Sequence, residues 1–137
     1  MGFEGDGDMI LYHATLKANW SSIQKYGLAP SRSKSSLAGV FLSDDKFTAE
    51  NYTGMRPGEQ HILLAIDSGY LDMDLLDPDN YELQDFLDNL SYEDKEDSGI
   101  WEDFWQDVSW ENSLNWVSQV AYMGVILPEA ITNLGEI

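Results

Sequence analysis

The spacing of apolar residues along the chain predicts a series of short strands. Apolar runs flanked by polar or turn-forming residues occur at 9–13, 39–43, 61–67, 71–76, 117–122 and 124–127. The run 61–67 is apolar throughout its centre, which is typical of a strand whose two faces are both buried. Pro128 and Glu129 then predict a turn before Ile131.

The first helix is predicted between the first two strand-like runs. Asn19 is a residue type that caps helix N-termini, and Gly27 is one that often ends helices. A helix is therefore expected from Asn19 to about Tyr26. Its inner face would carry Trp20 and Ile23.

A second helix is predicted directly after the second strand-like run. Either Asp44 or Asp45 can cap it, and the two remain alternatives. The helix would run to about Tyr52 and bury Phe47 and Ala49.

The middle of the chain predicts an acidic helical segment at 78–116. Asp77 and Pro78 fit a helix start, with Asp as the cap and Pro at the first helical position. The spacing i, i+3, i+4, i+7 of an amphipathic helix is met by Leu83, Phe86, Leu87 and Leu90. Helical spacing recurs, with acidic residues between, at Ile100, Trp101, Phe104, Trp105 and Val108.

Strands concentrate at both ends of the chain, and helices occupy the acidic middle. This distribution favours an α+β domain with an antiparallel sheet over alternating βαβ units. No linker, internal repeat or low-complexity tract divides the 137 residues, whose number is ordinary for one domain. We therefore expect a single domain at 1–137 that carries the acidic helical segment as an insertion.

Charge is distributed unevenly along the chain. The net charge is −18, and 16 of the 25 carboxylates lie between Asp67 and Glu111, where Lys95 is the only cation. Such a field repels nucleic acid and attracts basic protein surfaces, so we expect no direct nucleic-acid binding through the acidic face. Large aromatic residues interleave with these acids at Trp101, Trp105, Trp110 and Trp116. They predict either a packed core beneath a solvated face or a surface that binds a protein partner.

Other features of the composition narrow the class of protein. The chain has no cysteine, so it has neither a disulfide framework nor a cysteine-based zinc site. No apolar run reaches the roughly 18 residues of a membrane span, and the acidic N-terminal residues do not resemble a signal peptide. The acids at 72–79 lack the ligand order of an EF-hand loop. We expect a cytoplasmic protein without a membrane segment or metal site.

His13 is the first candidate for chemistry. A lone histidine at the end of a strand is more often a structural residue than a functional one. Here Thr15 adds a hydroxyl and Asn19 an amide within a short distance along the chain. These donors and acceptors could converge on one polar ligand.

A resemblance to a known family emerges from these residues and those that follow them. The motifs are Tyr12-His13-Ala14-Thr15, Asn19, Ile23, Gly27-Leu28, Pro30, Gly39-Val40-Phe41-Leu42-Ser43 and Tyr52. In this order they resemble the NAD-binding half of the ADP-ribosyltransferase superfamily, nearest to DNA-targeting ADP-ribosyltransferase toxins and RNA 2'-phosphotransferases. Two later parts of the chain resemble the family more loosely. Residues 61–67, followed by Leu75-Leu76-Asp77, are similar to the middle strands of the family. The family's terminal motif is similar to Gly124-Val125-Ile126-Leu127-Pro128-Glu129-Ala130-Ile131.

The resemblance implies a split antiparallel β-sandwich with flanking helices, in which NAD is the cofactor. His13 would bind the adenosine ribose, and Thr15 and Asn19 would help to hold the dinucleotide. Tyr52 would stack on the nicotinamide. Ser43 would lie at a strand end that faces the pocket.

Gln119 is the main departure from the family pattern. Transferases of the family usually carry a Glu at this position, which stabilises the oxocarbenium-like charge on the nicotinamide ribose. Gln can still donate a hydrogen bond to the ribose but brings no charge, so transfer would be slower by about 10²-fold or more. If the alignment shifts, the possible substitutes are Glu50, Glu111 and Glu129. A smaller departure is Ala14, where many relatives have Gly. The phosphotransferases of the family use several basic residues to bind phosphate, and this chain offers essentially Arg32 near the corresponding loop, which disfavours phosphotransferase activity.

These features predict two alternative functions. The first is an NAD-binding mono-ADP-ribosyltransferase that modifies a protein or nucleic-acid target, with Gln119 and Tyr52 as the catalytic residues and an acidic insertion that selects the target. The second is an acidic inhibitor or decoy that occupies a basic, nucleic-acid-binding surface and is catalytically weak or inactive. A toxin would fit the first function, and a phage or mobile-element protein would fit the second.

Overall fold

The computed structural model describes residues 9–30, 39–51, 58–89 and 108–137. The strands in this part of the chain are β1 (Ile10–Leu16), β2 (Val40–Ser43), β3 (His61–Asp67), β4 (Leu76–Pro78), β5 (Gln119–Tyr122) and β6 (Ile131–Glu136). The α-helices are α1 (Trp20–Tyr26), α2 (Lys46–Asn51), α3 (Asn80–Asn89) and α4 (Trp110–Val117). Short 3-10 helices lie at Lys17–Asn19, Ser68–Tyr70, Met73–Leu75 and Pro128–Ala130.

The described strands form one antiparallel sheet in the order β4-β5-β2-β1-β3-β6. This arrangement confirms the α+β class and the antiparallel sheet. The core lies against the sheet and contains buried side chains of Leu11, Ile23, Leu28, Val40, Leu42, Ile62, Leu64, Ile66, Leu76, Leu114, Val120, Tyr122, Ile126 and Ala130.

The two halves of the sheet are joined at its centre through one residue pair. β1 pairs with β3 along its whole length, from Ile10 opposite Asp67 to Leu16 opposite His61. By contrast, β1 pairs with β2 only at Tyr12 opposite Ser43. The ladder between β1 and β2 is therefore interrupted next to this pair, and the site described below lies there.

β3 has the bounds and the burial that its apolar sequence predicts. It lies between β1 and β6 in the sheet. Leu63 and Leu64 point to opposite faces of the sheet, and both are buried, at 4% and 0% exposed. The prediction of a strand buried on both faces is confirmed.

The first strand is longer than its apolar run. β1 continues through His13 and Thr15 to Leu16 because β3 supplies backbone partners along this whole stretch. His13 consequently lies in the middle of a strand, opposite Leu64, and the expectation that the strand ends at His13 was wrong.

The segment 71–76 was expected to be a strand and is mostly a 3-10 turn. The Asp72 carboxylate accepts a hydrogen bond from the backbone N–H of Asp74 at 3.0 Å. An aspartate that binds nearby backbone in this way favours a turn over an extended ladder. Only Leu76 of this segment enters a strand, β4.

The C-terminal strands also differ from their predicted bounds. Val117 is the last residue of α4, so β5 begins at Gln119. The run 124–127 is not a strand, and within it Ile126 forms an isolated bridge with Leu28. β6 was not predicted, because it is an edge strand without the usual alternation: Leu134 is exposed, whereas Asn133 and Gly135 are half-buried.

α1 has the predicted span, but Asn19 does not cap it with its side chain. The Asn19 backbone is already helical, and its side-chain amide donates to Thr15 Oγ1 at 3.1 Å. Gly27 ends the helix with a φ of 79°, in the region that glycine adopts without strain, as its sequence position predicted.

α2 is capped by the second of the two candidate aspartates. Asp45 accepts hydrogen bonds from the Phe47 N–H at 3.2 Å and from the Thr48 hydroxyl at 2.8 Å. Ala49 is buried as predicted, whereas Phe47 is 76% exposed and its predicted burial was wrong. Each residue turns a helix by about 100°, so Lys46 and Ala49 share a face that excludes Phe47.

α3 begins two residues later than Asp77-Pro78 suggested. Pro78 belongs to β4 and pairs with Val120. The capping residue is the buried Asp79, whose carboxylate accepts from the Glu82 N–H at 3.1 Å. Leu83 is fully buried, as the amphipathic spacing predicted.

The acidic segment is described only in part. Phe86 on α3 stacks on Trp116 of α4, with ring centroids 6.0 Å apart and planes 7° from parallel. Trp110 packs against the core, so the core interpretation applies to this tryptophan. Val108 precedes α4 outside any helix. The described part excludes Leu90, Ile100, Trp101, Phe104 and Trp105.

None of the helices within the described ranges is both long and apolar enough to cross a membrane.

Candidate functional site

A small pocket opens where β1, β2 and β5 lie side by side. Its volume is about 140 Å³, and its lining consists of Tyr12, His13, Ala14, Phe41, Ser43, Ala49 and Gln119. An engineered cavity of about 150 Å³ in another protein holds one benzene molecule. The pocket therefore has room for a single ring and not for a dinucleotide.

Strand register brings three of the lining residues together. Tyr12 on β1 lies opposite Ser43 on β2, and Ser43 lies opposite Gln119 on β5. Residues directly opposite one another on neighbouring strands point to the same face of a sheet. The three side chains therefore form a row across the centre of the sheet.

Ser43 is a buried residue whose hydroxyl is already used. It donates to the carbonyl oxygen of Ser118 at 2.6 Å and accepts from the Asp45 N–H at 3.0 Å. These bonds connect the end of β2 to the start of α2 and to the residue before β5. Ser43 therefore fixes the geometry of the pocket more than it offers a donor to a ligand.

His13 presents an acceptor to a ligand. The ring Nδ1 lies 2.7 Å from the carbonyl oxygen of Phe41. Because a carbonyl only accepts, Nδ1 must carry the proton in the neutral ring, and Nε2 is left as an acceptor. Burial of the ring lowers the pKa of His13 because it disfavours the charged form, and the hydrogen bond to Phe41 acts in the opposite direction to a smaller extent.

Gln119 presents a donor. The residue is 2% exposed, and its side-chain Nε2 has no hydrogen-bond partner among the described residues. An unsatisfied buried polar group costs about 1–3 kcal/mol, and a ligand acceptor would remove this penalty. Among the atoms of the pocket, this nitrogen is the strongest indication that a ligand binds there.

The backbone of Gln119 is held from the other side by α4 and α3. The buried Ser113 hydroxyl donates to the Gln119 carbonyl oxygen. Ser113 Oγ in turn accepts from the Asp79 N–H at 3.0 Å. α4 is thus hydrogen-bonded directly to β5, and the residue that caps α3 is hydrogen-bonded to α4.

The other predicted site residues are not placed in the pocket. Thr15 and Asn19 are bonded to each other and do not line it. Tyr52 lies outside the described residues, as does Arg32. The candidate carboxylates that could replace the family's Glu are not part of the lining either, namely Glu50, Glu111 and Glu129.

Sequence reasoning missed the apolar wall of the pocket and a cation next to it. Phe41 and Ala49 line the pocket, and the Lys46 ammonium lies 5.6 Å from the centroid of the Tyr12 ring. Phe41 could have been found from the period of two that it shares with Ser43 along β2. Lys46 had no comparable signal, because its place depends on how α2 packs on the sheet.

Comparisons with protein-family models, with curated proteins and with solved structures find no match to this chain. The case for a function therefore rests on the residues and geometry of the pocket.

Proposed function

We propose that this chain binds NAD and acts as a mono-ADP-ribosyltransferase of low turnover on a protein or nucleic-acid target. The observation that carries the proposal is Gln119 Nε2, which has no hydrogen-bond partner among the described residues and belongs to a side chain that lines one pocket with His13 and Ser43. The family resemblance selected these three residues from motif order alone, although they lie on three different strands.

The size and lining of the pocket support a specific assignment. The nicotinamide ring would occupy the cavity, whose wall includes the apolar surfaces of Phe41 and Ala49. Gln119 Nε2 would donate to a hydroxyl of the adjoining ribose. The neutral His13 would accept a hydrogen bond at Nε2 from a hydroxyl of the adenosine ribose, outside the volume filled by the first ring. Tyr52 would stack on the nicotinamide, as in the family pattern.

The charge of the pocket supports slow transfer. When nicotinamide leaves, positive charge develops on the ribose, and a nearby carboxylate would stabilise this transition state more than the ground state. None of the described lining residues carries a carboxylate. Gln119 can orient the ribose but cannot compensate the developing charge, so the rate would be lower by about 10²-fold than with a Glu.

The proposal is tested by measuring NAD binding and label transfer together. We expect calorimetry to detect NAD binding, with affinity reduced about fivefold by Gln119→Ala because one hydrogen bond is lost. The matched control is Gln84→Ala, on an exposed part of α3, which should bind NAD like the wild type. Incubation with labelled NAD and cell lysates then looks for a modified target. If neither NAD binding nor label transfer occurs, the proposal is wrong.

A second candidate function rests on the distribution of charge. With 16 of its 25 carboxylates between Asp67 and Glu111, the chain could occupy a basic surface that normally binds nucleic acid. This inhibitor or decoy would be captured with a basic protein at low salt and released at high salt. Capture that does not depend on salt, or no capture at all, would contradict it.

A further inference from the structure

Few cations lie in the described part of the chain. The described residues include the cations Lys17, Lys25 and Lys46. Lys17 forms an ion pair with Glu136 at 2.9 Å. Lys25 lies over the ring of Tyr26, at 5.4 Å from its centroid. Neither Tyr26 nor Glu136 lines the pocket.

Lys46 differs from the other two because it contacts a residue of the pocket. Its ammonium lies over the ring of Tyr12, which lines the cavity, and the side chain is exposed. It forms no ion pair within the described ranges 9–30, 39–51, 58–89 and 108–137. One helical turn further along the same face of α2, Ala49 forms part of the pocket wall.

These positions matter because the cavity holds only one ring. Any nucleotide ligand whose ring occupies the cavity must place its phosphates outside it. A chain with a net charge of −18 repels such an anion unless a local cation offsets the repulsion. Lys46 supplies a positive charge beside the pocket that forms no ion pair with a described residue, and its ammonium lies over the ring of Tyr12.

We propose that Lys46 binds the phosphate groups of the nucleotide whose ring occupies the pocket. This inference rests on the proposed function and extends it, since it identifies a binding residue for the diphosphate of NAD. Lys46 acts through charge, so its effect depends on the phosphates of the ligand and on ionic strength.

The test compares Lys46→Gln with Lys25→Gln by calorimetry, using NAD, ADP-ribose and nicotinamide as ligands. Lys25 is a matched control because it is also an exposed lysine over a tyrosine ring. At low salt we expect Lys46→Gln to weaken NAD and ADP-ribose binding by about fivefold, as loss of one charge pair near water predicts. Nicotinamide binding should not change, and Lys46→Arg should retain wild-type affinity for all three ligands. The difference in NAD affinity between Lys46→Gln and the wild type should become smaller as the salt concentration rises, because salt screens the charge.

Four results would overturn the inference. Equal losses of NAD affinity in Lys25→Gln and Lys46→Gln would show that the effect comes from the net charge of the chain. An equal loss of nicotinamide affinity would assign it to the shape of the pocket. If Lys46→Gln binds NAD like the wild type, the inference fails and the proposed function stands. If the wild type binds neither NAD nor ADP-ribose, both fail.

Discussion

Two side chains, Gln119 and His13, determine which hydrogen bonds the pocket can make. Gln119 contributes a buried donor without a described partner, and His13 contributes an acceptor whose orientation is set by Phe41. Both are neutral in this role, and no lining residue in the described ranges is a carboxylate. At the scale of single residues, the pocket is therefore better equipped to hold a sugar or carboxamide than to stabilise positive charge.

Replacing Gln119 by Glu tests this directly. We expect Gln119→Glu to increase nicotinamide release from NAD on the order of 10²-fold, because it supplies the missing negative charge. Burial should raise the pKa of the introduced carboxyl. The gain should therefore grow with pH as the carboxyl ionises, and initial rates over a range of pH would show it.

Gln84→Glu on α3 serves as the control for the added charge, since it lies on an exposed surface. If Gln119→Glu leaves the rate unchanged and His13→Ala has no effect on NAD binding, the assignment of the site is wrong.

His13 should make stability depend on pH. Because burial lowers its pKa in the folded protein, the unfolded chain takes up the proton first as pH falls. The stability associated with the neutral ring is complete above the unfolded value of about 6.5 and is lost as pH falls toward the folded pKa. Urea denaturation of the wild type and of His13→Gln would be measured at a series of pH values. Over this pH range, the free energy of unfolding should fall less in the variant than in the wild type. Identical pH profiles would contradict the prediction.

At the scale of elements, the pocket exists because the sheet is joined through one pair between β1 and β2. Tyr12 opposite Ser43 is the only register pair between these strands in the described part of the chain. Away from the strand ladders, Leu28 and Ile126 exchange two backbone hydrogen bonds of 2.9 Å and 2.8 Å. This bridge ties the end of α1 to the segment between β5 and β6.

The bridge predicts an unusual sensitivity at Gly27. Its φ is +79°, and an added Cβ would overlap the carbonyl oxygen of Ile126. We expect Gly27→Ala to lower the free energy of unfolding by more than about 3 kcal/mol, since the backbone strain is combined with a steric clash. The measurement is chemical denaturation followed by circular dichroism.

Gly58→Ala is the matched control for that prediction. Gly58 also has a positive φ, +88°, but nothing lies within 4 Å of its added Cβ. Only the backbone strain remains, so the free energy of unfolding should fall by about 1 kcal/mol. Equal losses at the two positions would show that the contact between Gly27 and Ile126 has no energetic importance.

At the scale of the whole molecule, the acidic helices and the pocket form one connected structure. The chain of hydrogen bonds from Asp79 through Ser113 reaches the backbone of Gln119. α3 and α4 are joined to each other by the stacked rings of Phe86 and Trp116. A partner bound to the acidic surface would therefore contact elements that are anchored to the candidate site.

The net charge predicts how salt affects the folded state. With −18 overall, repulsion among carboxylates outweighs exposed attractive pairs such as Lys17 with Glu136. Raising sodium chloride from low to moderate concentration should increase the free energy of unfolding on the order of 1 kcal/mol. The variant Asp85→Asn, Asp88→Asn should respond less, because two exposed acids on α3 are removed. A decrease in stability with salt would show that attractive pairs dominate.

Local patterns in the sequence determined several features correctly. The α+β class followed from the distribution of apolar runs, the bounds of β3 from its continuous apolar centre, and the end of α1 from Gly27. These features depend on the burial and conformational preferences of neighbouring residues. Motif order also selected His13, Ser43 and Gln119; the three line one pocket, and their roles stay predictions.

Tertiary structure alone decided the features that depend on partners distant in the chain. β1 extends to Leu16 because β3 pairs with it, and β6 is a strand because it completes an edge of the sheet. Gln119 Nε2 has no partner among the described residues, and Lys46 lies over Tyr12; both features arise from strand register and helix packing. Hydrogen-bond satisfaction and charge placement belong to pairs of residues brought together by folding, so a local pattern cannot determine them.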